Sequence, residues 1–147
     1  MKPIVRELRV EDKSRWLELW AGYLEFYKSS ISNEQTELTW VRLISNENKM
    51  YGFVVEVDNK LAGLAHCLFR PSTWAEHDYC YLEDLFVDTN VRNNGLGRAL
   101  MDHVIELAKS RKAKRVYWTT QEFNATARKL YDSYVPVSEF VQYRYPL

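Results

Sequence analysis

The chain has 147 residues, the length of one ordinary domain, and its hydrophobic content of 46% is enough to build a core. Its 20 basic and 20 acidic residues cancel, so no net charge draws it to nucleic acid or to an anionic membrane. No apolar run approaches the length of a transmembrane helix, and the N-terminus lacks the apolar core of a signal peptide.

The N-terminal third predicts a strand followed by two helices. Residues 4–10 are rich in β-forming side chains, and Asp12 is placed to cap a helix that begins at Lys13. The polar residues 29–33 interrupt the helical pattern, and residues 36–45 predict a second, shorter helix. The apolar stripe of the first helix has helical spacing and comprises Trp16, Leu19, Trp20, Tyr23, Leu24 and Tyr27.

The middle of the chain predicts a β-meander. Two β-rich runs, residues 50–57 and 61–69, are joined by residues 58–60, whose sequence Asp-Asn-Lys is a hairpin signal. Residues 71–77 predict a loop, and residues 79–87 predict the third strand of the meander.

A helix follows this strand, and its apolar face consists of Leu96, Leu100, Val104 and Leu107. Residues 115–120 then predict a strand, residues 124–133 a helix and residues 140–145 a closing strand. The order β-α-α-β-β-β-α-β-α-β predicts a single α/β domain, residues 1–147, with a mixed sheet. The basic run 109–115 is interpreted as a solvated helix C-terminus, although a phosphate or nucleic-acid contact is the alternative.

The cysteines and histidines indicate neither a disulfide framework nor a metal site. Cys67 and Cys80 both lie in apolar, strand-like runs, which predicts buried, reduced thiols and a cytoplasmic location. His66, His77 and His103 do not join them at any metal-ligand spacing, so we expect no metal.

The segment between the third meander strand and the next helix is typical of an anion site. Gly95 and Gly97 stand where the helix begins, so the backbone can approach a ligand closely and the free N–H groups of the first turn face it. No Lys-Ser or Lys-Thr follows the second glycine, and the spacing is not G-x-G-x-x-G, which excludes the two common nucleotide motifs. A glycine-relieved turn without a ligand is the structural alternative.

The motif Arg-x-x-Gly-x-Gly at residues 92–97 resembles the acetyl-CoA loop of the GNAT superfamily of N-acetyltransferases. A second motif, Asn-x-x-Ala-x-x-Leu-Tyr at residues 124–131, matches the same superfamily. Residues 81–87 and 70–74 are similar to small diamine and thialysine acetyltransferases and to histone-and-polyamine acetyltransferases. One departure is residues 133–136, Ser-Tyr-Val-Pro, where the family usually has Gly-Phe or Gly-Tyr, so the turn before the last strand must be built differently.

The resemblance implies the GNAT acyl-CoA N-acyltransferase fold, acetyl-CoA as cosubstrate without a metal, and a homodimer. It also implies direct attack by a small-molecule amine, because neither cysteine is placed as a nucleophile. By resemblance, backbone amides of the glycine loop hold the CoA pyrophosphate, and those of the preceding strand face the pantetheine and acetyl carbonyl. The implied cosubstrate-binding residues are Leu85, Phe86, Val87, Arg92, Asn93, Asn94, Gly95, Leu96, Gly97, Arg98 and Asn124. Helix capping is a compatible alternative for Asn124.

Two catalytic residues follow from the resemblance. Tyr131 stands at the general-acid position, with packing against the sheet as its alternative reading. Glu83 is favoured as the base or the anchor of the amine. Because side chains alternate along a strand, Glu83 and Asp84 are expected on opposite faces, so that only one of them lines a given cleft.

Four aromatic residues are candidates for the acceptor site. Tyr23 and Tyr27 lie on the first helix, and Trp74 and Trp118 add aromatic surface that suits a cation beside a carboxylate. Core packing is the alternative for this set. The preferred acceptor is a small cationic amine, a polyamine or a lysine-like compound; the other functions considered are a CoA-binding module without catalysis and a protein or histone lysine acetyltransferase.

Overall fold

The computed structural model describes residues 2–91 and 95–147. The strands are β1 (Ile4–Glu7), β2 (Met50–Val57), β3 (Lys60–Ser72), β4 (Ala75–Val87) and β5 (Val116–Tyr117). The α-helices are α1 (Lys13–Phe26), α2 (Asn33–Ser45), α3 (Leu96–Ser110) and α4 (Ala125–Asp132). Short 3₁₀ turns, Val10–Asp12 and Glu47–Lys49, precede α1 and β2.

The strands form one mixed sheet in the order β1-β2-β3-β4-β5. Neighbours from β1 to β4 are antiparallel, whereas β5 pairs in parallel with β4 after the crossover through α3. The predicted α/β class with a mixed sheet is confirmed, together with the predicted order of elements from β1 to α4.

Each face of the sheet carries its own apolar core. On one face, Trp16 of α1 stacks on Trp20 with ring centroids 5.7 Å apart and touches Trp40 of α2 at 5.1 Å. On the other face lies α3, whose fully buried stripe includes Leu100 and Val104. The apolar spacing predicted for α1 and α3 is therefore the spacing that buries them against the sheet.

The loop predicted at residues 71–77 is wrong. The β3–β4 ladder continues to the pair formed by Ser72 and Ala75, leaving only a two-residue turn at residues 73–74. Pro71 suggested a loop because it cannot donate to a ladder, but the register shift between Arg70 and Ser72 places it in an irregularity of the strand pairing.

Asp12 stands at the N-cap of α1 but does not cap it with its side chain. The carboxylate instead accepts hydrogen bonds from both terminal nitrogens of Arg6, at 2.8 and 2.9 Å, and from the backbone N–H of Arg9 at 2.7 Å. The guanidinium of Arg6 holds the pKa of Asp12 below its ordinary value. This ion pair connects β1 to the start of α1.

The closing strand predicted at residues 140–145 is also wrong, because this segment pairs with no strand in the described part of the chain. Its apolar side chains face solvent instead: Phe140 is 82% exposed and Tyr143 93%. Alternation of side chains predicted a strand, but a strand forms only where a partner completes its hydrogen bonds. Among the residues that the structure describes, no helix has both the length and the hydropathy needed to cross a bilayer.

Candidate active site

A β-bulge in β4 places both candidate carboxylates on one side of the sheet. His66 of β3 pairs with Asp84 and the next residue, Cys67, pairs with Leu82, so Glu83 is the extra residue of the bulge. The expectation that Glu83 and Asp84 face opposite sides is wrong, because the bulge interrupts the alternation of side chains between them. Both carboxylates line the same cleft.

This cleft is open to solvent and has a volume of about 1680 Å³. It runs along β4 and β5 between α1 on one side and α4 with the C-terminal segment on the other. The predicted site residues that line it are Tyr23, Tyr27, Trp74, Glu83, Leu85, Trp118 and Tyr131. The structure therefore brings together both catalytic candidates and all four acceptor candidates.

Tyr131 lies near the end of α4 with its ring 5.6 Å from that of Trp118. Burial, with a smaller contribution from Tyr27, raises the pKa of its phenol to about 12. The phenol is therefore protonated at neutral pH and has a proton to donate, which is the state that a general acid needs.

Glu83 has a carboxylate suited to accepting a proton. Burial raises its pKa, the charge of the neighbouring Asp84 raises it further, and His66 opposes the rise. A carboxylate with a raised pKa is a stronger base than an ordinary glutamate.

The sequence analysis missed a buried hydrogen-bond network behind the carboxylates. The indole N–H of Trp16 donates to Nε2 of His66 at 3.0 Å, and Nδ1 of His66 lies 2.9 Å from the carboxylate of Asp84. Because an indole N–H can only donate, Nε2 accepts and the ring proton sits on Nδ1, from which it bonds to Asp84. His66 thus connects Trp16 to Asp84 and orients that carboxylate. The signal in the sequence was a histidine inside the otherwise apolar run of residues 61–69.

The tyrosines of α1 form the wall opposite the carboxylates. Tyr23 and Tyr27 contact each other edge to face at 5.1 Å. Burial and the charge of Asp84 raise the pKa of Tyr23, and burial raises that of Tyr27 against a hydrogen bond with Thr120 that lowers it. Both phenols are therefore neutral, and they frame the carboxylates with aromatic surface.

The two tryptophans differ in their surroundings. Trp74 occupies the tip of the β3–β4 hairpin and is 86% exposed, so it reaches the cleft only at its rim. Trp118 is partly buried and packs between Tyr131 and Tyr134. It therefore packs against the core and also lines the cleft. A cation entering the cleft would meet Trp118 beside the catalytic residues and Trp74 at the entrance.

Among the described residues, β5 pairs with Cys80 and Tyr81 of β4 and with no residue farther along that strand. The backbone of Leu85 to Val87 therefore has no β5 partner within the described chain. The side chains of Leu85 and Val87 pack toward α3, and Phe86 packs toward Tyr23 on the opposite face. The structure thus shows these three side chains packed in the two cores. Contact between their backbone and the cosubstrate stays a prediction.

At the start of α3, Gly95 is the N-cap and has φ of +93°, a conformation that favours glycine. Leu96 is buried, so it can offer a ligand only its backbone. A side chain at Gly97 would meet Leu130 at 3.3 Å. Arg98 is committed to Ser133 through a hydrogen bond of 2.8 Å. The remaining predicted loop residues, Arg92, Asn93 and Asn94, lie outside the described residues.

Asn124 caps α4, since its side-chain oxygen accepts from the backbone N–H of Ala127 at 3.3 Å. The capping alternative is thus observed, and the amide nitrogen donates to the hydroxyl of Thr120 at 3.5 Å, which leaves its second N–H for a ligand. Among residues 2–91 and 95–147, no group of three or more His, Cys, Asp or Glu side chains could hold a metal ion. Cys67 and Cys80 are both free and buried.

Comparison with known proteins gives three findings. The model of the acetyltransferase (GNAT) family matches residues 11–134. D-amino-acid N-acetyltransferase HPA3 of Saccharomyces cerevisiae is 29% identical over 144 residues, which cover 96% of this chain and 89% of that protein. Thialysine N-epsilon-acetyltransferase of Caenorhabditis elegans is 30% identical over 109 residues, 74% of this chain and 66% of that protein.

A solved structure shares the fold. The structure of AAC(6′)-Iy in complex with the bisubstrate analog CoA-S-monomethyl-acetylneamine has a TM-score of 0.82 at 13% identity, with 100% of each chain covered.

Proposed function

Because the chain belongs to the GNAT acetyltransferase family, we propose that it is an acetyl-CoA-dependent N-acetyltransferase whose acceptor is a small cationic amine. The observation that carries this proposal is that a proton acceptor, Glu83, and a proton donor, Tyr131, line one cleft. That cleft runs along β4 beyond its last pair with β5.

Acetyl-CoA, when bound, supplies a thioester carbonyl as the electrophile. A primary alkylamine has a pKa near ~10.4 and is almost wholly protonated at neutral pH, so the site must remove a proton before attack. Glu83 accepts that proton, directly or through water, and a backbone N–H in the unpaired half of β4 donates to the carbonyl oxygen as its negative charge grows. Tyr131 then donates its phenolic proton to the departing sulfur as the C–S bond breaks, and the new C–N bond remains. The second proton of the attacking nitrogen returns to the phenolate of Tyr131 through water, which leaves the amide, the free thiol and one proton on Glu83.

The N-terminus of α3 is the proposed seat of the cosubstrate pyrophosphate. Its first-turn N–H groups and its dipole favour negative charge, and Gly95 keeps the backbone accessible. The residues that would complete this seat are Arg92, Asn93 and Asn94 of the loop, Leu96, Gly97 and Arg98 of α3, and Asn124 at the N-terminus of α4.

The choice of a small amine rests on the cleft. Two adjacent carboxylates, Glu83 and Asp84, are framed by Tyr23 and Tyr27, and carboxylates beside aromatic faces attract a compact cation. The names of the two relatives, a D-amino-acid and a thialysine acetyltransferase, favour the same class of acceptor over a histone tail.

The second candidate is a CoA-binding module without catalysis. Glu83 with its raised pKa and the protonated phenol of Tyr131 argue against it, since a protein that only binds CoA needs neither. We also propose that the chain acts as a metal-free homodimer in the cytoplasm. Its two buried, free cysteines suit a reducing compartment.

Isothermal titration calorimetry with acetyl-CoA, followed by a thiol-release assay with a panel of amines, tests the proposal. The panel contains lysine, thialysine, putrescine, spermidine, D-amino acids, an aminoglycoside and a histone peptide. We expect binding of acetyl-CoA and turnover of at least one small amine. Binding without turnover of any amine would favour the module, turnover of the peptide alone would make it a protein acetyltransferase, and absence of binding would exclude both functions.

A further inference from the structure

Two arginines lie in the wall of the same cleft, away from the catalytic residues. Arg70, in β3, donates from Nε to the hydroxyl of Tyr117 at 2.8 Å, and its guanidinium is 5.0 Å from the ring of Tyr79. Arg115, just before β5, donates to the hydroxyl of Tyr79 at 2.8 Å and stands 4.2 Å from that ring. Both guanidiniums are therefore held against one tyrosine; we call them the arginine pair.

The arginine pair has no anionic partner among residues 2–91 and 95–147. Every ion pair within those residues involves other basic side chains, and the groups bonded to Arg70 and Arg115 are tyrosine hydroxyls and a backbone carbonyl. Two cations at one tyrosine ring repel each other, and an anion between them would relieve that repulsion. The planar guanidinium matches a carboxylate with two parallel hydrogen bonds, which makes such a site suitable for a carboxylate.

Two stacked tyrosines, Tyr81 and Tyr117, lie between the arginine pair and Glu83. Tyr81 precedes Glu83 by two residues, about 7 Å along a strand. Its ring stacks on that of Tyr117, with centroids 4.9 Å apart, and the hydroxyl of Tyr117 holds Arg70. A continuous wall thus joins the site of proton removal to the arginine pair.

The phosphates of CoA are not the anion that this geometry fits. Their proposed seat, the N-terminus of α3, follows the end of β4 at Val87, eight residues beyond Tyr79 and therefore about 26 Å farther along the strand. The arginine pair lines the cleft, whereas no described residue of α3 does, so the pair is separate from the proposed pyrophosphate site.

We propose that Arg70 and Arg115 bind the carboxylate of an amino-acid acceptor and so direct its side-chain amine to Glu83. This inference rests on the proposed function and narrows its acceptor class. In a free amino acid one carbon separates the α-amine from the carboxylate, too short a link to span from the arginine pair past Tyr81 to Glu83. A lysine carries its side-chain amine four carbons beyond the α-carbon, so that amine reaches farther along the wall toward Glu83. A polyamine would present a second cation to the arginines and be repelled.

The test compares acceptors that differ only in the carboxylate: lysine, lysinamide, in which the carboxylate is a neutral amide, and cadaverine, which lacks it. The wild-type protein should prefer lysine, and mass spectrometry of the product should place the acetyl group on the side-chain nitrogen. Arg70→Gln and Arg115→Gln should each raise KM for lysine by about 10–100-fold, the range for losing hydrogen bonds to a charged group. They should leave kcat, and KM for lysinamide, within about twofold.

Arg111→Gln is the matched control. Its guanidinium also lies over aromatic rings, 4.5 Å from Tyr51 and 5.0 Å from Phe69, but outside the cleft, so neither KM should change. Unchanged affinity for acetyl-CoA in both arginine variants would show that they fold. Equal effects on lysine and lysinamide, wild-type preference for lysinamide, or acetylation of the α-amine would each overturn the inference.

Direct binding separates a failure of this inference from a failure of the proposed function. Calorimetric titration of lysine and lysinamide into the wild-type protein and the two arginine variants needs no turnover. If the protein acetylated no amine but still bound lysine through the arginine pair, the carboxylate site would be supported and the proposed acetyltransferase function would be refuted. If lysine and lysinamide bound equally well, the proposed carboxylate site would be refuted, whether or not the protein acetylated any amine.

Discussion

At the scale of single residues, the two proposed catalytic groups, a carboxylate and a phenol, lie in different surroundings. Glu83 is partly buried on a bulge beside a second carboxylate, so its negative charge is disfavoured and its proton affinity rises. Tyr131 is buried against Trp118, and this burial disfavours its ionised form. In the proposed mechanism the two groups therefore take opposite roles at one pH.

Replacing Tyr131 by phenylalanine should lower kcat by roughly 10–1,000-fold, because the departing sulfur then has no positioned acid. Affinity for acetyl-CoA, measured by calorimetry, should barely change, since only one hydroxyl is lost. Tyr134→Phe is the matched control, because that hydroxyl bonds to Asp102 outside the cleft. A wild-type rate for Tyr131→Phe, with the chemical step shown to limit turnover, would refute the general-acid role.

Replacing Glu83 by glutamine should reduce activity most at pH values above the pKa of Glu83 and well below that of the amine, and least at alkaline pH. The carboxylate works as a base only when ionised, and because its pKa is raised, the wild-type rate should fall with decreasing pH from above the ordinary range of a glutamate. Glutamine accepts no proton, so the loss is large where the amine is protonated and small where it is already neutral. The readout is the pH profile of kcat/KM, with Glu122→Gln, another carboxylate of the cleft, as control. An equal loss at every pH would reduce Glu83 to an anchor.

At the scale of elements, the sequence predicted correctly those boundaries that depend on neighbouring residues in the chain. Strand β2 begins and ends at the predicted residues, Met50–Val57, because a hairpin turn fixes its end and alternating burial fixes its face. The bulge in β4 was missed, although buried positions change parity across it, from Cys80 and Leu82 to Leu85 and Val87. Counting that parity, rather than assuming strict alternation, would have placed Glu83 and Asp84 together.

The polar network behind the site shows a different limit of the sequence. The sequence analysis found no metal-ligand spacing at His66 and assigned it no other role. Its role depends on Trp16 and Asp84, which are 50 and 18 residues away in the chain. The arginine pair was missed for the same reason. Arg70 of β3 and Arg115 before β5 are far apart in the chain and come together at Tyr79 of the intervening strand β4. Such partners become evident only once the sheet order is known.

At the turn between β4 and α3, Gly95→Val should weaken acetyl-CoA binding before it affects the chemistry. An added Cβ meets no atom within 4 Å, so the cost is the left-handed backbone, about 1–2 kcal/mol for a residue with a side chain. Relief of that strain would turn the first N–H groups of α3 away from the ligand. We expect KM for acetyl-CoA to rise by roughly tenfold or more at nearly constant kcat, since each 1.4 kcal/mol is tenfold in affinity.

The control for this prediction is Asn59→Val. Asn59 has φ of 65° in the β2–β3 turn, so valine there imposes the same kind of backbone strain far from α3. It should lower the melting temperature without changing KM for acetyl-CoA. If both variants raised that KM equally, the effect would be general destabilisation, and the glycine loop would lose its assigned role.

At the scale of the whole molecule, the C-terminal segment is distinguished by its run of exposed apolar side chains. Residues 135–147 carry Val137, Phe140, Val141 and Tyr143 as exposed side chains, and the outer edge of β5 has no partner strand among the described residues. Contiguous exposed apolar surface beside an open sheet edge is typical of an interaction surface. The segment also lines the cleft, so whatever covers it borders the acceptor site.

If the proposed homodimer buries this segment, the full chain should have twice the monomer mass in size-exclusion chromatography with light scattering. Deletion of residues 137–147 should yield a monomer, because it removes the exposed apolar side chains and leaves α4 and both cores intact. The matched point variants are Phe140→Ser with Tyr143→Ser, expected to weaken the dimer, and Glu139→Gln, expected to leave it unchanged. A monomeric full chain, or a dimer that survives the deletion with its affinity unaltered, would place the interface elsewhere or remove it.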